Sequence, residues 1–523
     1  MCLRQEEFQA SGFPIMCLLL VFANTMLNGC MSLPTETDEA MTQAQAPSSN
    51  ETAADQPGNA SYSSQSDYPA RGSRTEAALT EGSSLVVKTV LLDPVLRPGS
   101  TVKALLGLTI KSAGGVFERT FINQMRFPKL REHPIPNVGN APPMDLNAWE
   151  RELDELSSTR QVRGSIEYLI DGDEYFPRLI SVIDSAEQRI DIRIYIFDND
   201  DVAVNIADHL RDRADQVEVR ILVDGLGDLV AGNVDSSTLA DDFTTPPSIE
   251  EYLEYGSMVT LRNQSNPWFT GDHAKITLID QKTAFVGGMN IGREYRYDWH
   301  DMMMEINGPM VDYLQFEFDK AWERSGWLGD GAWIVRALAG TEALNDNREH
   351  YYPMRMLVTN IHDSQIYRAQ VEAIRRSQNY IFIENAYFTD DKILFELARA
   401  RRRGVDVRVI VSSSVDNNIH NLSDKPTINR MLENGIRVYA YPGMTHVKAA
   451  VFDGWACLGS ANFDKLSLQI NQEVNIATSH PQAVQRLLEQ LFLRDFTIST
   501  EIKNKYQLNV VHHLAEFLAD EML

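Results

Sequence analysis

The residues with the clearest chemical potential occur in two copies of one pattern. With identical spacing, the copies are His273, Lys275 and Asp280, and then His446, Lys448 and Asp453. Side chains two residues apart on a strand point to the same face, so each histidine projects beside its lysine. An imidazole and an ammonium group held side by side suit an anion.

Each copy continues into a glycine-containing turn that ends in an asparagine. These residues are Gly287, Gly288 and Asn290 in the first copy, and Gly459, Ser460 and Asn462 in the second. Glycine lets backbone come close to a ligand, and the amides and the hydroxyl can donate hydrogen bonds. Two histidines, two lysines and two asparagines would surround one phosphate through charge-assisted hydrogen bonds. The pattern predicts no metal and no cofactor.

A single copy of so short a motif is more often structural than catalytic. The second copy makes chance a poor explanation and predicts one active site built by two halves. The repeat also extends upstream. Apolar, strand-like runs at 190–198 and 217–224 correspond to 380–388 and 405–412, with helical stretches at 201–213 and 391–403 between them. This α/β order predicts two similar halves with mixed sheets flanked by helices, and an active site at their pseudo-twofold interface.

The paired motifs and the sequence around them resemble the phospholipase D superfamily. The sequence is similar to those of bacterial cardiolipin synthases at residues 285–295, 299–301, 306–309, 459–464 and 471–473. The similarity spans roughly residues 160–515. The resemblance implies that one histidine attacks phosphorus to form a phosphohistidine while the other moves protons for the alcohols. It assigns His273 as nucleophile and His446 as general acid and base; the near-symmetry of the halves leaves the reverse open.

Two features depart from that family. Gly288 stands where its members usually have serine, which removes a hydroxyl near the phosphate. The paired membrane helices at the start of some cardiolipin synthases are not found.

Tyr195 and Tyr387 are expected to pack at strand ends, with a phosphate contact as the alternative.

Acidic side chains are predicted to support the two imidazoles. Asp301 and Glu473 follow their motif histidines by 28 and 27 residues. A carboxylate on Nδ1 would fix the tautomer and aim Nε2 at phosphorus. For Asp280 and Asp453, a catalytic role and a turn-capping role are equally open.

The N-terminal region predicts export and anchoring. Residues 1–30 contain an apolar run with a lipobox-like end, so they are predicted to be a signal peptide, with Cys30 as the lipidated residue. An uncleaved anchor is the alternative. Residues 31–84 are polar and are predicted to be a disordered tether. The protein would then be a membrane-anchored lipoprotein of a bacterial cell envelope, facing the periplasm or the exterior.

Residues 85–160 are predicted to be a basic and apolar lead-in to the catalytic halves at 161–340 and 341–523, the second of which includes the C-terminal helices. Between residues 85 and 131, eight lysines and arginines face only Asp93 and Glu118. Such a segment suits anionic lipid headgroups; a packed helix with a solvated basic edge is equally open. Cys457 lies in a buried-looking strand, and no disulfide is expected.

Composition and resemblance together narrow the function. A net charge of −25 and a pI near 4.9 argue against nucleic acid, which relies on many basic contacts. The resemblance implies phospholipid partners and a membrane surface. The leading hypothesis is a phosphatidyltransferase that makes cardiolipin from phosphatidylglycerol, with phosphatidylethanolamine left open as a donor. The main alternative is a phospholipase D that releases phosphatidic acid. A nuclease or a non-catalytic lipid-binding lipoprotein is a weaker hypothesis.

Overall fold

A computed structural model describes most of the chain from residue 74 onward. The described residues are 74–117, 124–132, 134–230, 239, 243–264, 266–331, 350–413, 418–509, 511–512 and 515. The predicted signal peptide at 1–30, its lipidated Cys30 and residues 31–73 of the predicted tether lie outside this part.

Helices make up the lead-in segment. They are α1 (Arg74–Val87), a π-helical turn (Lys88–Leu92), α2 (Asp93–Leu96), α3 (Pro98–Phe117), α4 (Gln124–Arg131) and α5 (Leu146–Ser157). Because α1 begins at Arg74, the prediction of a disordered tether is wrong for residues 74–84. The same helix contains Leu85, whose side chain is buried. The apolar contacts of Leu85 help to offset the conformational entropy that is lost when the helix orders.

The first half alternates strands and helices. Its strands are β1 (Val162–Ile170), β2 (Arg189–Ile194), β3 (Glu218–Val223), β4 (Thr260–Asn263), β5 (Ile276–Ile279), β6 (Thr283–Gly287) and β7 (Met302–Asn307). Its helices are α6 (Asp171–Asp184), α7 (Asp201–Ala214), α8 (Gly225–Val230), α9 (Ile249–Glu254), α10 (Arg293–Tyr297) and α11 (Met310–Ser325), with short 3-10 turns at Pro267–Phe269 and Gly329–Gly331.

The second half repeats this order. Its strands are β8 (Tyr352–Asn360), β9 (Asp363–Ser364), β10 (Tyr380–Asn385), β11 (Asp406–Ser412), β12 (Arg437–Tyr441), β13 (Lys448–Phe452), β14 (Trp455–Gly459), β15 (Glu473–Thr478) and β16 (Thr500–Ile502). Its helices are α12 (Gln365–Arg376), α13 (Asp391–Arg402), α14 (Asn418–Glu433), α15 (Pro481–Leu487) and α16 (Leu493–Ile498), with π-helical turns at Leu466–Ile470 and Leu488–Phe492.

Local sequence signals explain the equivalent helices of the two halves. Asp200 caps α7 by accepting a hydrogen bond from the backbone N–H of Ala203, and Asp390 caps α13 in the same way at Ile393. Such caps satisfy N–H groups that a helix leaves unpaired at its start. At the other end of α13, Gly404 has a φ of 98°, a conformation that glycine adopts without strain.

All strands join one sheet in which the two halves meet edge to edge. The order is β4-β3-β2-β5-β6-β7-β1-β8-β15-β14-β13-β10-β11-β12-β16, with β9 paired to β8. Read outward from the β1–β8 junction, both halves show the same arrangement of parallel and antiparallel neighbours. The predicted α/β fold class, with two similar halves of mixed sheet flanked by helices, is therefore confirmed.

The cores follow from this arrangement. One apolar cluster spans both halves and includes Ile166, Met304, Trp322, Leu458 and Phe492, so α11 and the helical run from Pro481 to Ile498 cover one face of the whole sheet. Two further clusters lie on the other face, one in each half. Among the described residues, no helix combines the length and the apolarity needed to cross a bilayer.

Candidate active site

Backbone pairing across the junction of the halves brings the two motifs together. The N–H of His273 donates to the carbonyl of Gln472 at 2.9 Å, and the N–H of His446 donates to the carbonyl of His300 at 2.6 Å. The segment that carries each histidine is thus hydrogen-bonded to the other half, at the residue directly before the acidic residue of that half, Glu473 or Asp301. Both histidines are set just before a strand, at β5 and β13 respectively.

This pairing places each imidazole on the carboxylate of the opposite half. His273 Nδ1 lies 3.0 and 3.1 Å from the two carboxylate oxygens of Glu473, and His446 Nδ1 lies 2.6 Å from Asp301 Oδ2. Asp301 and Glu473 are fully buried, whereas the His273 and His446 side chains remain 13% and 6% exposed. A carboxylate on Nδ1 leaves Nε2 as the reactive nitrogen of each ring.

Burial sets the charge state of the histidines. Loss of water lowers the pKa of His273 well below its usual value, and the ammonium groups of Lys275 and Lys448 act in the same direction. The pKa of His446 is lowered for the same reasons, and His273 adds to that shift. Both imidazoles are therefore neutral near pH 7, the state in which a ring nitrogen can attack phosphorus.

The lysines and carboxylates respond to burial in opposite directions. Burial lowers the pKa of Lys275 to about 7, and it raises the pKa of Asp301 to about 7 and that of Glu473 to about 8. The lysine side chains are held by their own motifs: Lys275 Nζ donates to the carbonyl of His273 at 2.8 Å, and Lys448 Nζ donates to that of His446 at 2.5 Å. Two ammonium groups thus flank the imidazoles, where a phosphoryl anion would gain from them.

Aromatic rings form the walls around the histidines. The Tyr195 ring lies edge-on to His273 with centroids 4.9 Å apart, and Lys275 Nζ lies 5.3 Å from the centre of the same ring. Trp299 and Tyr295 lie 5.2 and 5.5 Å from the His446 ring. The aromatic groups exclude water from the imidazoles, which strengthens every charge interaction in the site.

The tyrosines thus do more than pack at strand ends. Tyr387 also lies in this wall, with its ring 6.4 Å from that of His446. Burial raises the pKa of Tyr195 above its usual value, so its hydroxyl stays protonated. A protonated hydroxyl can donate a hydrogen bond to a phosphate.

A charged cluster beside His446 was not found from the sequence. His300 Nδ1 lies 2.6 Å from Asp171 Oδ1, and His300 Nε2 lies 3.1 Å from Asp495 Oδ2 and 3.7 Å from Glu384 Oε1. Burial by itself lowers the pKa of His300, but the hydrogen bonds that its ring donates to Asp171 and Asp495 outweigh it and raise the pKa to about 10. A protonated His300 thus ties the two halves together next to Asp301. Its position directly before Asp301 was the available signal in the sequence.

Asp280 and Asp453 bind backbone, as the turn-capping alternative describes. Asp280 accepts hydrogen bonds from the backbone N–H groups of residues 187–189 at 2.7–3.0 Å. Asp453 accepts from Met144 and from residues 378–380 at 2.6–3.3 Å. Both follow the far ends of β5 and β13, a strand's length from the histidines. They hold the start of the neighbouring strands β2 and β10 in register.

The glycines allow close contacts between strands within the protein. A Cβ on Gly287 would lie 2.4 Å from the carbonyl oxygen of Met302, and one on Gly459 would lie 2.4 Å from that of Val474. Each glycine therefore lets its strand lie close to the strand that follows the acidic residue. Substrate binding at Gly287 and Gly288 stays a prediction.

The asparagines and Ser460 also have protein partners. Asn290 Nδ2 donates to the Tyr295 hydroxyl at 2.8 Å, and Asn290 Oδ1 accepts from the N–H of Ile196 at 3.1 Å. The Ser460 hydroxyl donates to Glu473 Oε2 at 2.5 Å. Asn462 differs, because its Oδ1 is buried and has no hydrogen-bond partner in the described part of the chain. Ser460 therefore positions the carboxylate that orients His273.

Gly288 is required by the carboxylate beside it. A Cβ at this position would lie 2.3 Å from Asp301 Oδ1, so a side chain would displace the group that orients His446. We expect Gly288→Ser to lower kcat/KM about 100-fold, the scale on which misplacing a catalytic group by an ångström acts. Ser460→Gly, which removes a hydroxyl without adding bulk, should cost about tenfold, as for one hydrogen bond to a charged group. Kinetics and thermal unfolding of both variants test this; a fully active Gly288→Ser would contradict it.

Comparison with known proteins agrees with the fold and the doubled motif. The paired α/β halves with two histidines at their junction define a phospholipase D-like protein. The family model described as cardiolipin synthase, PLD-like domain, matches residues 179–322 and 371–495, which is just over half of the chain. This chain belongs to the phospholipase D superfamily and, within it, to the cardiolipin synthase-like family.

Individual relatives include proteins named cardiolipin synthase. The probable cardiolipin synthase YwiE of Bacillus subtilis is 29% identical over 364 residues, which cover 65% of this chain and 67% of that protein. Cardiolipin synthase B of Salmonella typhimurium is 30% identical over 326 residues, covering 60% and 75%. The crystal structure of phosphatidylserine synthase from Haemophilus influenzae superimposes with a TM-score of 0.56 at 14% identity, covering 72% of this chain and 99% of that one. The last similarity concerns the fold alone.

Proposed function

We propose that this protein is a cardiolipin synthase that transfers a phosphatidyl group from one phosphatidylglycerol to another. The observation that carries the proposal is the crosswise pairing of each motif histidine with a buried carboxylate of the other half, beside two lysines. The relatives named cardiolipin synthase, which match 65% and 60% of this chain, support the choice of substrate.

In the first step, His273 Nε2 attacks phosphorus of the donor lipid. The bond from phosphorus to the glycerol headgroup breaks, and His446 gives its Nε2 proton to the departing oxygen. The bound phosphodiester brings negative charge between the rings, which raises the pKa of His446 into the range where it can be the acid. Glu473 stabilises the charge that develops on His273. The greater exposure of His273 supports its assignment as the nucleophile.

In the second step, the proton movements reverse. The terminal hydroxyl of a second phosphatidylglycerol gives its proton to His446 and attacks phosphorus, and the bond to His273 breaks. The products are cardiolipin and glycerol. One phosphodiester replaces another, so no nucleotide is consumed. Lys275 and Lys448 neutralise charge on the non-bridging oxygens in both steps.

The lipid products distinguish this reaction from hydrolysis, which would use the same residues with water as the acceptor. The purified protein should convert phosphatidylglycerol in mixed micelles to cardiolipin and glycerol. Phosphatidic acid without cardiolipin would instead make the protein a phospholipase D. Adding phosphatidylethanolamine with a labelled headgroup tests it as the donor. Unchanged lipids would favour the non-catalytic lipoprotein, and degradation of nucleic acid would favour the nuclease.

The pKa shifts predict a narrow, bell-shaped dependence of kcat/KM on pH. As the pH falls through about 8 and then about 7, Glu473 and Asp301 become protonated, because burial has raised their pKa values to about 8 and about 7, and the imidazoles lose their charged partners. Above neutral pH, Lys275 loses its proton, because burial has lowered its pKa to about 7. Lys275→Arg, which stays protonated, should extend the alkaline limb of its remaining activity. A flat profile between about pH 5 and about pH 9 would contradict two proton-transfer roles.

We also infer that the enzyme works at the surface of a bacterial envelope membrane, held by a lipid on Cys30 after cleavage of the signal peptide directly before this residue. The apolar run before Cys30 supports this inference. Mass spectrometry of the protein purified from a bacterial host tests it. A diacylglyceryl group on an N-terminal Cys30 is expected, and an intact N-terminus would identify an uncleaved anchor.

A further inference from the structure

In the lead-in segment, many large apolar side chains face outward and several polar side chains face the protein. Half of the exposed large apolar side chains among the described residues lie between Leu79 and Ile110. Val95 and Ile110 are 75% and 69% exposed, and Leu91 and Leu106 are 62% and 57% exposed. A contiguous apolar surface of this kind marks an interaction site.

Several polar side chains of the same segment point into the protein. Thr89, Asp93, Arg97 and Thr101 are all buried. The Arg97 guanidinium forms an ion pair with Asp93 at 2.6 Å and donates to backbone carbonyls of residues 324–326. The sequence suggested basic groups directed at lipid headgroups, but the structure uses several of them as internal anchors. Most of the large side chains on the outward surface are aliphatic.

These anchors attach the segment to both catalytic halves. Lys88 Nζ donates to the carbonyls of Asn263 and Gln264 in the first half, at 2.8 and 3.1 Å. Lys111 Nζ donates to Ser364 Oγ in the second half at 3.0 Å. The lead-in thus spans both halves and fixes the direction in which its apolar surface faces.

The segment also lies beside the loops that lead into the active site. Trp268, five residues before His273, donates its indole N–H to the carbonyl of Thr101 at 3.1 Å. Ala104 packs with Ile470, which lies shortly before Glu473. Helix α3, which carries part of the apolar surface, therefore contacts the segments that lead to His273 and to Glu473.

We propose that the exposed aliphatic surface of residues 79–110 inserts into one leaflet of the lipid bilayer and presents the active site to its substrates. This inference rests on the proposed phospholipid substrate. A bilayer fits a surface that is apolar over α1, α2 and α3 and has Lys103 among its exposed residues, since a lysine can reach from an apolar face to headgroups. Burial of hydrocarbon, rather than attraction of charge, holds a chain of net charge −25 to an anionic membrane.

Local insertion can be measured in the full-length protein. An environment-sensitive fluorophore is introduced as an unnatural amino acid at Leu106 and, as a matched control, at Met258, which is 70% exposed outside this surface. Vesicles of phosphatidylcholine and phosphatidylglycerol should shift the emission at 106 to the blue and leave that at 258 unchanged. The shift should persist at 1 M NaCl, where the screening length falls to about 3 Å.

Four results would overturn the proposal. These are no shift at 106, equal shifts at both positions, a shift abolished by salt, or an emission at 106 that is already blue before vesicles are added. The last result would mean that another part of the chain or a second copy covers the surface. We expect His273→Asn to insert as the wild type does. The fluorescence measurement therefore tests insertion of the surface even if no cardiolipin is formed.

Kinetics provide the second test. Leu91→Glu combined with Leu106→Glu should raise KM for vesicle phosphatidylglycerol at least about tenfold, since charged groups do not enter hydrocarbon. Turnover of monomeric, short-chain phosphatidylglycerol should stay within about twofold, which a misfolded variant would not achieve. Met258→Glu should change neither value. An equal loss on both substrates would contradict a role restricted to the membrane.

Discussion

Replacing either motif histidine should stop phosphatidyl transfer, but at different steps. We expect His273→Asn and His446→Asn each to lower kcat by about 10³-fold to 10⁴-fold, the range of a lost nucleophile or general acid. A phosphatidyl ester of p-nitrophenol separates the two, because this leaving group departs without an acid. His446→Asn should release about one equivalent of p-nitrophenol in a burst and then stall, since attack by the acceptor alcohol lacks a base. His273→Asn should give no burst.

The stalled His446 variant should contain the labelled lipid in an acid-labile, alkali-stable bond, as expected of a phosphohistidine. His209→Asn is the matched control, because His209 is a partly exposed histidine paired with Asp184 on the surface of the first half. It should turn over normally. A burst in the His273 variant and none in the His446 variant would exchange the two roles. Normal turnover in both variants would exclude the proposed chemistry.

The second large prediction concerns Glu473 and Asp301, the carboxylates that each bind the histidine of the other half. Glu473→Gln should slow the p-nitrophenol burst by about 10³-fold, because it leaves His273 in the wrong tautomer, whereas Asp301→Asn should keep the burst and stop the second step. If each carboxylate served the histidine of its own half, these outcomes would be reversed. Asp280→Asn is the control, since Asp280 bonds only to backbone at the start of β2 in the described contacts.

The pH dependence of the burst gives an independent measurement of the same pair. Burial raises the pKa of Glu473 to about 8, so lowering the pH from 8 to 6 protonates this carboxyl in the wild type. The burst rate of the wild type should fall over this interval. Glu473→Gln has no such proton to gain, and its slower burst should show a weaker dependence. An unchanged pH dependence in the variant would separate Glu473 from His273.

Much of the architecture could be predicted from local patterns. The strand periods, the helix caps and the second copy of the motif all depend on neighbours in sequence, so they are legible there. The lead-in was harder. Its composition predicted a basic surface, but composition does not say which side of a helix faces the protein. Lys88, Arg97 and Lys111 donate to backbone carbonyls more than 170 residues away, and these partners direct the aliphatic side chains outward.

The sequence by itself determined the doubled motif, the α/β halves and the family, because these depend on residue types at short, repeated spacings. Only the tertiary structure decided that Glu473 orients His273 and Asp301 orients His446, pairs separated by 200 and 145 residues. It also decided that Asp280 and Asp453 bind backbone and that His300 joins a buried charged cluster. The physical reason is the edge-to-edge sheet, whose backbone pairing at Gln472 and His300 places each acidic residue in the opposite half's site.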